Sequence, residues 1–398
     1  MKLLVVAPQP FFSPRGTPFS VYYRTLISSE LGAEIDFLTY GQGEDVDIAG
    51  VRFYRTPALA FLGPVKIGPS LKKLVHDFFI FFWMLGLLLR NRYAVVHAHE
   101  EAVFMAVLLK PFFRYKLLYD MHSSLPQQLS NFNFSSNKLL LGLFEWLEKK
   151  RLAHSEAIIT ICPDLYQYVN AQLPGNNRNF LIENSILEPV RLKTGPLGAR
   201  SGANCSAEAV PQLDIPAHFQ HRIVYAGTLE AYQGIDILVD AMALVAAEQK
   251  DAGCIIVGGT DEQVNRFRQQ AEQRGIAGQM LFTGRVAQHV ARAYSREATV
   301  LVSPRSSGTN TPLKIYEQLA SGIPLVATAI YSHTQVLTED VAFLAEANAQ
   351  DMAKGLLAAI KDPELAARKA EKAQELYERE YARPIYVQKL QRVMESLQ

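Results

Sequence analysis

Two successive series of short apolar strands alternating with helical patterns, divided by one aperiodic stretch, restrict this chain more than any other feature. In the first series Lys2–Ala7, Glu34–Thr39, Val51–Arg55, Ala94–Ala98, Lys116–Asp120 and Ala157–Ile161 read as strands. Most are continuous apolar runs, as parallel strands covered on both faces should be. Helical patterns occupy Pro18–Leu31, Pro69–Arg90 and Lys138–His154. Residues 188–221 are rich in Pro, Gly, Ser and Ala and have no period, which predicts a linker with a loop. The alternation then restarts with strands at Arg222–Ala226, Gly253–Val257, Gln279–Thr283, Thr299–Val302, Ile323–Thr328 and Val341–Leu344, and a helical tail runs from Ala349. The expected fold class is α/β, with two doubly wound Rossmann-like domains facing across a cleft. A length of 398 residues suits two cores better than one. Open α/β sheets bind ligands at the carboxyl ends of their strands, so the residues just after strands are the ones to search.

A formal net charge of +1 and the lack of any run of like charges exclude a nucleic-acid tail as a partner surface. Cys162, Cys205 and Cys254 are widely spaced and form no zinc-type or redox-type pair, which predicts reduced thiols in a cytoplasmic protein. The Leu3–Ala7 run is too short for a signal peptide. Phe78–Leu89 is the longest apolar run, about half of the ~20 residues that span a bilayer. It reads either as a buried core helix or as a membrane-facing one. Residues Lys110–Lys116 interleave basic and aromatic side chains, which suits contact with an anionic lipid surface.

The segment Pro304–Thr328, PRSSGTNTPLKIYEQLASGIPLVAT, carries the strongest chemical signal. Thr311 fits a helix N-cap, Pro312 the first helical position and Gly322 the position after the last turn, which predicts a helix over 312–321. Gly308-Thr309-Asn310 precedes it, and a glycine-containing loop entering a helix offers amides and a favourable dipole to an anion. Lys314 and Glu317 share a face of this helix. On spacing alone they read first as a surface ion pair, and otherwise as a clamp on phosphate and ribose.

Taken with Tyr225-Ala226-Gly227-Thr228, Gln233-Gly234-Ile235-Asp236, Val257-Gly258-Gly259, Phe282-Thr283-Gly284, Arg15-Gly16-Thr17-Pro18, His97-Ala98-His99 and Asp120-Met121-His122, this segment resembles the retaining glycosyltransferases of family 4. The match is to a subgroup with a Lys314-Ile315-Tyr316-Glu317 donor-site motif. The resemblance implies the GT-B fold. Residues 1–187 would form an acceptor-side domain, 188–221 a linker, 222–380 a nucleotide-sugar domain, and 381–398 a helix returning to the first domain. It assigns Glu317 to the donor ribose, Gly308, Thr309, Asn310, Thr311, Pro312 and Leu313 to phosphates and sugar, and Gly227 to the diphosphate turn. Thr228, Gln233, Gly258 and Arg285 join the donor side. His122 would lie near the reacting sugar, with Gly16, Thr17, His99 and Asp120 on the acceptor side.

Three departures stand out. The first acid of the family's paired-glutamate motif falls on Thr309, and its phosphate-binding Arg and Lys fall on Thr228 and Gln233. A diphosphate leaving group needs positive charge, and Lys314 and Arg305 are the candidates to supply it. His97 and His99 face the same way on a strand, but no third metal ligand is near them in sequence. No metal or other cofactor is therefore expected. The expected activity is sugar transfer, with retention, from a nucleotide-diphosphate sugar to a hydroxyl of a glycan or lipid-linked acceptor. The expected location is the cytoplasm or the inner membrane face. Rival readings are a non-catalytic nucleotide-sugar-binding or partner protein, and a nucleotide-sugar epimerase.

Overall fold

The computed structural model describes residues 1–13, 16–59, 63, 71–124, 138–192 and 212–398. Arg15, Cys205 and the middle of the expected linker lie outside the described residues. Contacts divide the chain into two units, Met1–Ala199 with Arg383–Gln398, and Arg200–Ala382.

The first unit is built on β1 (Lys2–Ala7), β2 (Glu34–Thr39), β3 (Val51–Arg55), β4 (Val95–His99), β5 (Lys116–Met121), β6 (Ala157–Thr160) and β7 (Asn179–Leu181). Its helices are α1 (Gly16–Glu30), α2 (Leu71–Arg90), α3 (Ala102–Phe113), α4 (Lys138–His154) and α5 (Pro163–Gln172). The strand order is β3-β2-β1-β4-β5-β6-β7, all parallel. Side chains alternate across this sheet. Leu3, Val5 and Ala7 join one core, while Leu4 and Val6 join the other.

The second unit contains β8 (His221–Ala226), β9 (Ala252–Val257), β10 (Met280–Gly284), β11 (Val300–Ser303), β12 (Leu325–Thr328) and β13 (Phe343–Ala345). Its helices are α6 (Ile235–Glu248), α7 (Asp261–Gln273), α8 (Gln288–Arg296), α9 (Leu313–Ala320), α10 (Tyr331–Thr334), α11 (Ala349–Lys361) and α12 (Pro363–Glu380). The last helix, α13 (Arg383–Ser396), belongs to the first unit. The second sheet runs β10-β9-β8-β11-β12-β13, again all parallel. The order reverses between β1 and β4 in one sheet and between β8 and β11 in the other. Those switch points are where doubly wound sheets open a crevice for ligands.

Several boundaries differ from the sequence reading. Helix α3 and strand β7 were not expected. The α3 text, AVFMAVLLKPFF, is apolar all round and contains Pro111, so neither period nor breaker signals revealed it. The expected linker begins as part of the first unit, since Leu192 bridges to Val46. Helix α9 starts one residue later than expected. Pro312 holds the N-cap position, in an extended conformation, and Thr311 does not cap. Proline fixes the φ of that entry residue itself, so no side-chain cap is needed. Phe78–Leu89 is divided between core and surface. Ile80, Met84, Leu87 and Leu88 are core, while Phe78, Phe82, Trp83 and Leu89 are exposed.

Candidate functional site: a cationic switch point and a buried histidine cluster

In the second unit, loops from four strands gather at the carboxyl edge around the β8/β11 switch point. Gly227 follows β8, and its amide bonds to the Val257 carbonyl at 3.0 Å. Gly258 follows β9 with φ +121°, and a Cβ there would stand 2.1 Å from the Gly227 carbonyl oxygen. Gly234 caps α6 with φ +68°, and a Cβ there would meet the Pro304 carbonyl oxygen at 2.0 Å. Both positions demand glycine, because a side chain would meet rigid backbone. The result is tight apposition of the 227–234 loop with the segment after β11. The Ser306 amide donates to the Tyr232 carbonyl at 2.9 Å, and the Arg305 guanidinium lies 5.2 Å over the Tyr232 ring.

Helix α9 adds Lys314. Its Nζ donates to Gln233 Oε1 at 3.2 Å and sits 4.1 Å over the Tyr225 ring. Burial, then repulsion from Arg305, pushes its pKa down to about 7. Burial likewise lowers that of Arg305. A cation held by a neutral amide and an aromatic face gains most from an anion. Thr311 Oγ1 is buried near the start of the same helix, with no hydrogen-bond partner among the described residues. The first amides of a helix also lack intrahelical partners and point at such a ligand.

The other expected donor residues are distributed around these groups. Thr228 is exposed beside Gly227, and its carbonyl accepts from the Tyr225 hydroxyl at 2.6 Å. The Thr309 carbonyl accepts from Gln335 Nε2 at 2.5 Å. Gly308 has φ +125° and lies against the Arg305 guanidinium, whose Nε donates to the Ser307 carbonyl at 2.6 Å. Asn310, Pro312 and Leu313 continue this segment into α9. Arg285 is exposed just after β10. Glu317 pairs with Arg292 of α8 at 3.2 Å, so the expected Lys314–Glu317 surface pair gives way to two separate partnerships.

His333 of α10 completes this edge in a way that motif reading missed. Its Nε2 lies 3.1 Å from Ser303 Oγ and its Nδ1 lies 2.9 Å from the Thr328 carbonyl. Thr328 Oγ1 in turn donates to the Arg305 carbonyl at 2.5 Å. Burial pushes the His333 pKa down to about 4, so it is a neutral bracket behind the Arg305 loop. The signal was a histidine beyond a strand end, which has no periodic context to decode.

In the first unit the β4 and β5 ends bring His97, His99, Asp120 and His122 together. His97 Nε2 and His99 Nδ1 lie 3.4 and 3.6 Å from Asp120 Oδ2, and His122 Nε2 lies 3.5 Å from Oδ1. His99 Nδ1 and His122 Nε2 are 3.3 Å apart. Burial raises the Asp120 pKa, but Arg24, followed by His122, overcomes this and holds it well below the carboxylate range. Burial lowers that of His99 strongly and that of His122 to about 4. Asp120 supplies the third ligand-type group that the sequence lacked near His97 and His99, all within 4.8 Å. Yet its Oδ2 receives the Arg24 Nε at 2.6 Å. A guanidinium already compensates the carboxylate. Gly16 and Thr17 open helix α1.

Comparison with known proteins follows the same division. The family described as "Glycosyl transferases group 1" matches residues 217–376, and "Glycosyl transferase 4-like domain" matches 28–185. A phosphatidyl-myo-inositol mannosyltransferase of Mycolicibacterium smegmatis is 27% identical over 170 residues, 42% of this chain and 43% of that protein. The matched part thus spans less than half of that relative. Sucrose-phosphate synthase from Thermosynechococcus elongatus has a similar structure, with a TM-score of 0.75 and 17% identity over 100% of this chain and 98% of that one. Anabaena HepE in complex with UDP has a TM-score of 0.69 and 15% identity, over 100% and 99% of the two chains. These likenesses show a GT-B fold.

Proposed function

The chain belongs to the group 1 glycosyl transferases, and on that footing we propose that it moves a sugar from a nucleoside-diphosphate sugar to an acceptor hydroxyl with retention of configuration. The observation that carries this reading is Lys314, a half-buried ammonium beside Gln233 and near Arg305 at the β8/β11 switch point. The start of α9 offers backbone amides to the same phosphates, while Gly227 and Gly258, whose own amides bond to the Val257 and Gly284 carbonyls, keep the turns beside it free of side chains. HepE, of the same fold, has been captured with UDP and with UDP-glucose. Glu317, half-exposed one turn beyond Lys314, is assigned to the ribose hydroxyls, with Arg292 holding it.

In this reading the acceptor oxygen bonds to the anomeric carbon as the bond to the diphosphate breaks. The bonding pair leaves on the phosphate oxygen, and that oxygen takes the acceptor proton. No strong protein base is then required. Lys314 and Arg305 take up the developing charge electrostatically, in place of a metal ion. The resemblance assigns His122 to the transferred sugar and Gly16, Thr17, His99 and Asp120 to the acceptor. A donor panel with the purified protein tests this. Release of nucleoside diphosphate and a glycoside with the donor's anomeric configuration, both lost in Lys314→Ala and Arg305→Ala, are expected. Full turnover in both variants would overturn the charge assignment.

We further propose a lipid-linked or membrane-presented acceptor, met at the inner face of the membrane. Among the described residues, nine of the thirteen large exposed hydrophobics lie on α2, α3 and α4. Leu74, Val75, Phe78, Phe82 and Leu89 recur at helical spacing, so they share the outward side of α2, opposite its core residues. Phe112 of α3 is 77% exposed and Trp146 of α4 is 53% exposed. Lys72, Arg90, Arg92, Arg114, Lys149 and Lys150 are exposed on or beside the same helices. Apolar side chains rimmed by cations suit shallow insertion among anionic headgroups. No helix among the described residues is long and apolar enough to cross a membrane. Cys162 and Cys254 are buried free thiols, in keeping with a reducing compartment.

A further inference from the structure

A line of four side chains in the first unit joins the C-terminal helix to His122. Arg24 of α1 donates through Nη1 to the Tyr386 hydroxyl at 2.9 Å, through Nε to Asp120 Oδ2 at 2.6 Å, and through Nη2 to the Ile182 carbonyl at 2.8 Å. Asp120 Oδ1 then faces His122 Nε2 at 3.5 Å. Arg24 and Asp120 are 0% exposed, Tyr386 2% and His122 4%. Each guanidinium nitrogen thus has a different partner, from α13, from β5 and from the end of β7.

We infer that Arg24 and Tyr386 are positioning residues for His122, which act through Asp120 to fix the orientation and neutral state of its imidazole. The inference rests on the reading of His122 as the first-unit group that meets the transferred sugar.

The physical reason is charge compensation. A carboxylate this deep must be paired, or a proton must neutralise it. Asp120 faces three imidazoles, those of His97 and His99 on β4 and of His122 just beyond β5. Without Arg24, one of those imidazoles is the nearest group able to take up a proton. A guanidinium stays charged throughout the physiological range, and its planar fork locks one geometry. It therefore satisfies Asp120 permanently and leaves His99 and His122 neutral. Tyr386 aims the fork by accepting at its far corner. Tyr386 stands on α13, which the chain reaches only after leaving the second unit. Arg383 fastens that helix to Glu30 at 2.5 Å and to Glu188 at 2.6 Å, and Lys389 fastens it to Glu183 at 2.7 Å. The returning segment thereby completes the surroundings of His122, a role no first-unit motif announces.

The test is histidine-selective nitrogen-15 NMR on the full chain, with His122 assigned through His122→Gln. The ring-nitrogen shifts of His122 are followed against pH in the parent, Tyr386→Phe, Arg24→Lys and Arg24→Met. The expected result is an altered His122 tautomer signal in Tyr386→Phe and Arg24→Lys. In Arg24→Met, a histidine of the cluster titrates at least one pH unit higher than in the parent. In turnover assays the positioning variants lower kcat about tenfold with the donor KM nearly unchanged, and add nothing in the His122→Gln background. If Arg24→Met does not fold, the two conservative variants carry the test. Parent-like His122 shifts and midpoint in folded Tyr386→Phe and Arg24→Lys would overturn the inference. Full turnover of His122→Gln would instead overturn the sugar-side reading, while the NMR result still decides whether Arg24 and Tyr386 position the ring.

Discussion

The Lys314 ammonium donates to the Gln233 side-chain carbonyl across 3.2 Å, so α9 brings a cation to the residue on which the resembled family's lysine falls. On the proposed reading, α9 supplies the charge that the loop residue Gln233 lacks. Lys314→Met is expected to weaken nucleoside-diphosphate binding by tenfold or more, since a hydrogen bond to a charged group contributes about 1.5–3 kcal/mol. The exchange Lys314→Gln with Gln233→Lys should recover part of that loss. Calorimetric titration with the cognate diphosphate measures both. Undiminished binding by Lys314→Met would contradict that reading.

Binding should also depend on pH with a defined sign. Burial brings Lys314 to about 7 in the free protein. A bound diphosphate favours the ammonium and raises that value again. Above pH 7 the free protein holds a growing fraction of neutral lysine, so binding must take up a proton and affinity falls as pH rises. Titrations at pH 8 in buffers of different ionisation enthalpy should show net proton uptake, which Lys314→Met abolishes.

Stability should fall on mild acidification. The folded-state pKa values of His122 and His333 are pushed down to about 4, and that of His99 also lies well below the ordinary value, chiefly by burial. Their unfolded values lie near 6.5, so between pH 6.5 and 4 the unfolded chain binds more protons. The stability these groups contribute is complete above pH 6.5 and is lost as pH falls toward 4. Each such histidine costs at most about 1.4 kcal/mol per pH unit in that window. Urea midpoints at pH 7.5 and 5.5 check this, and His333→Gln should flatten part of the slope.

The outward face of α2 should govern vesicle binding. Flotation with vesicles containing anionic lipid is expected to carry the parent protein. Binding should weaken as salt rises, because the cationic rim is screened. Phe78→Ser with Phe82→Ser should abolish flotation and leave nucleotide binding intact. Equal flotation of parent and variant would remove the lipid-facing role.

The sequence was most legible where one face of an element had one job. Strands β1, β2 and β3 run where the apolar text places them, and α4 spans the expected residues. Helix α3 escaped because an all-apolar segment has no period to read, and Pro111 argued against it. Within the site, Lys314 was read from helix spacing, Gly227 and Gln233 from the family resemblance, and Arg305 as a candidate cation, and the fold brings their loops to one sheet edge. His333 was given no role and Arg24 was not named. Their partners, Ser303 and Thr328 for one, Asp120 and Tyr386 for the other, lie on different elements, and Tyr386 is separated from Arg24 by most of the chain. Short-range spacing does not encode such pairings. The helix entry at Pro312 was misplaced by one residue, because a Thr–Pro pair fits either boundary.

The most direct measurement is thermal unfolding of the full chain with UDP, GDP, ADP and their sugar conjugates in excess EDTA. A ligand at 100 times its dissociation constant adds about 2.7 kcal/mol to the state that binds it. The account predicts that one nucleotide raises the melting temperature by several degrees without metal, and that Lys314→Met loses the shift while remaining folded. No stabilisation by any of them, or an undiminished shift in Lys314→Met, would contradict the claim that Lys314 anchors a metal-independent donor site.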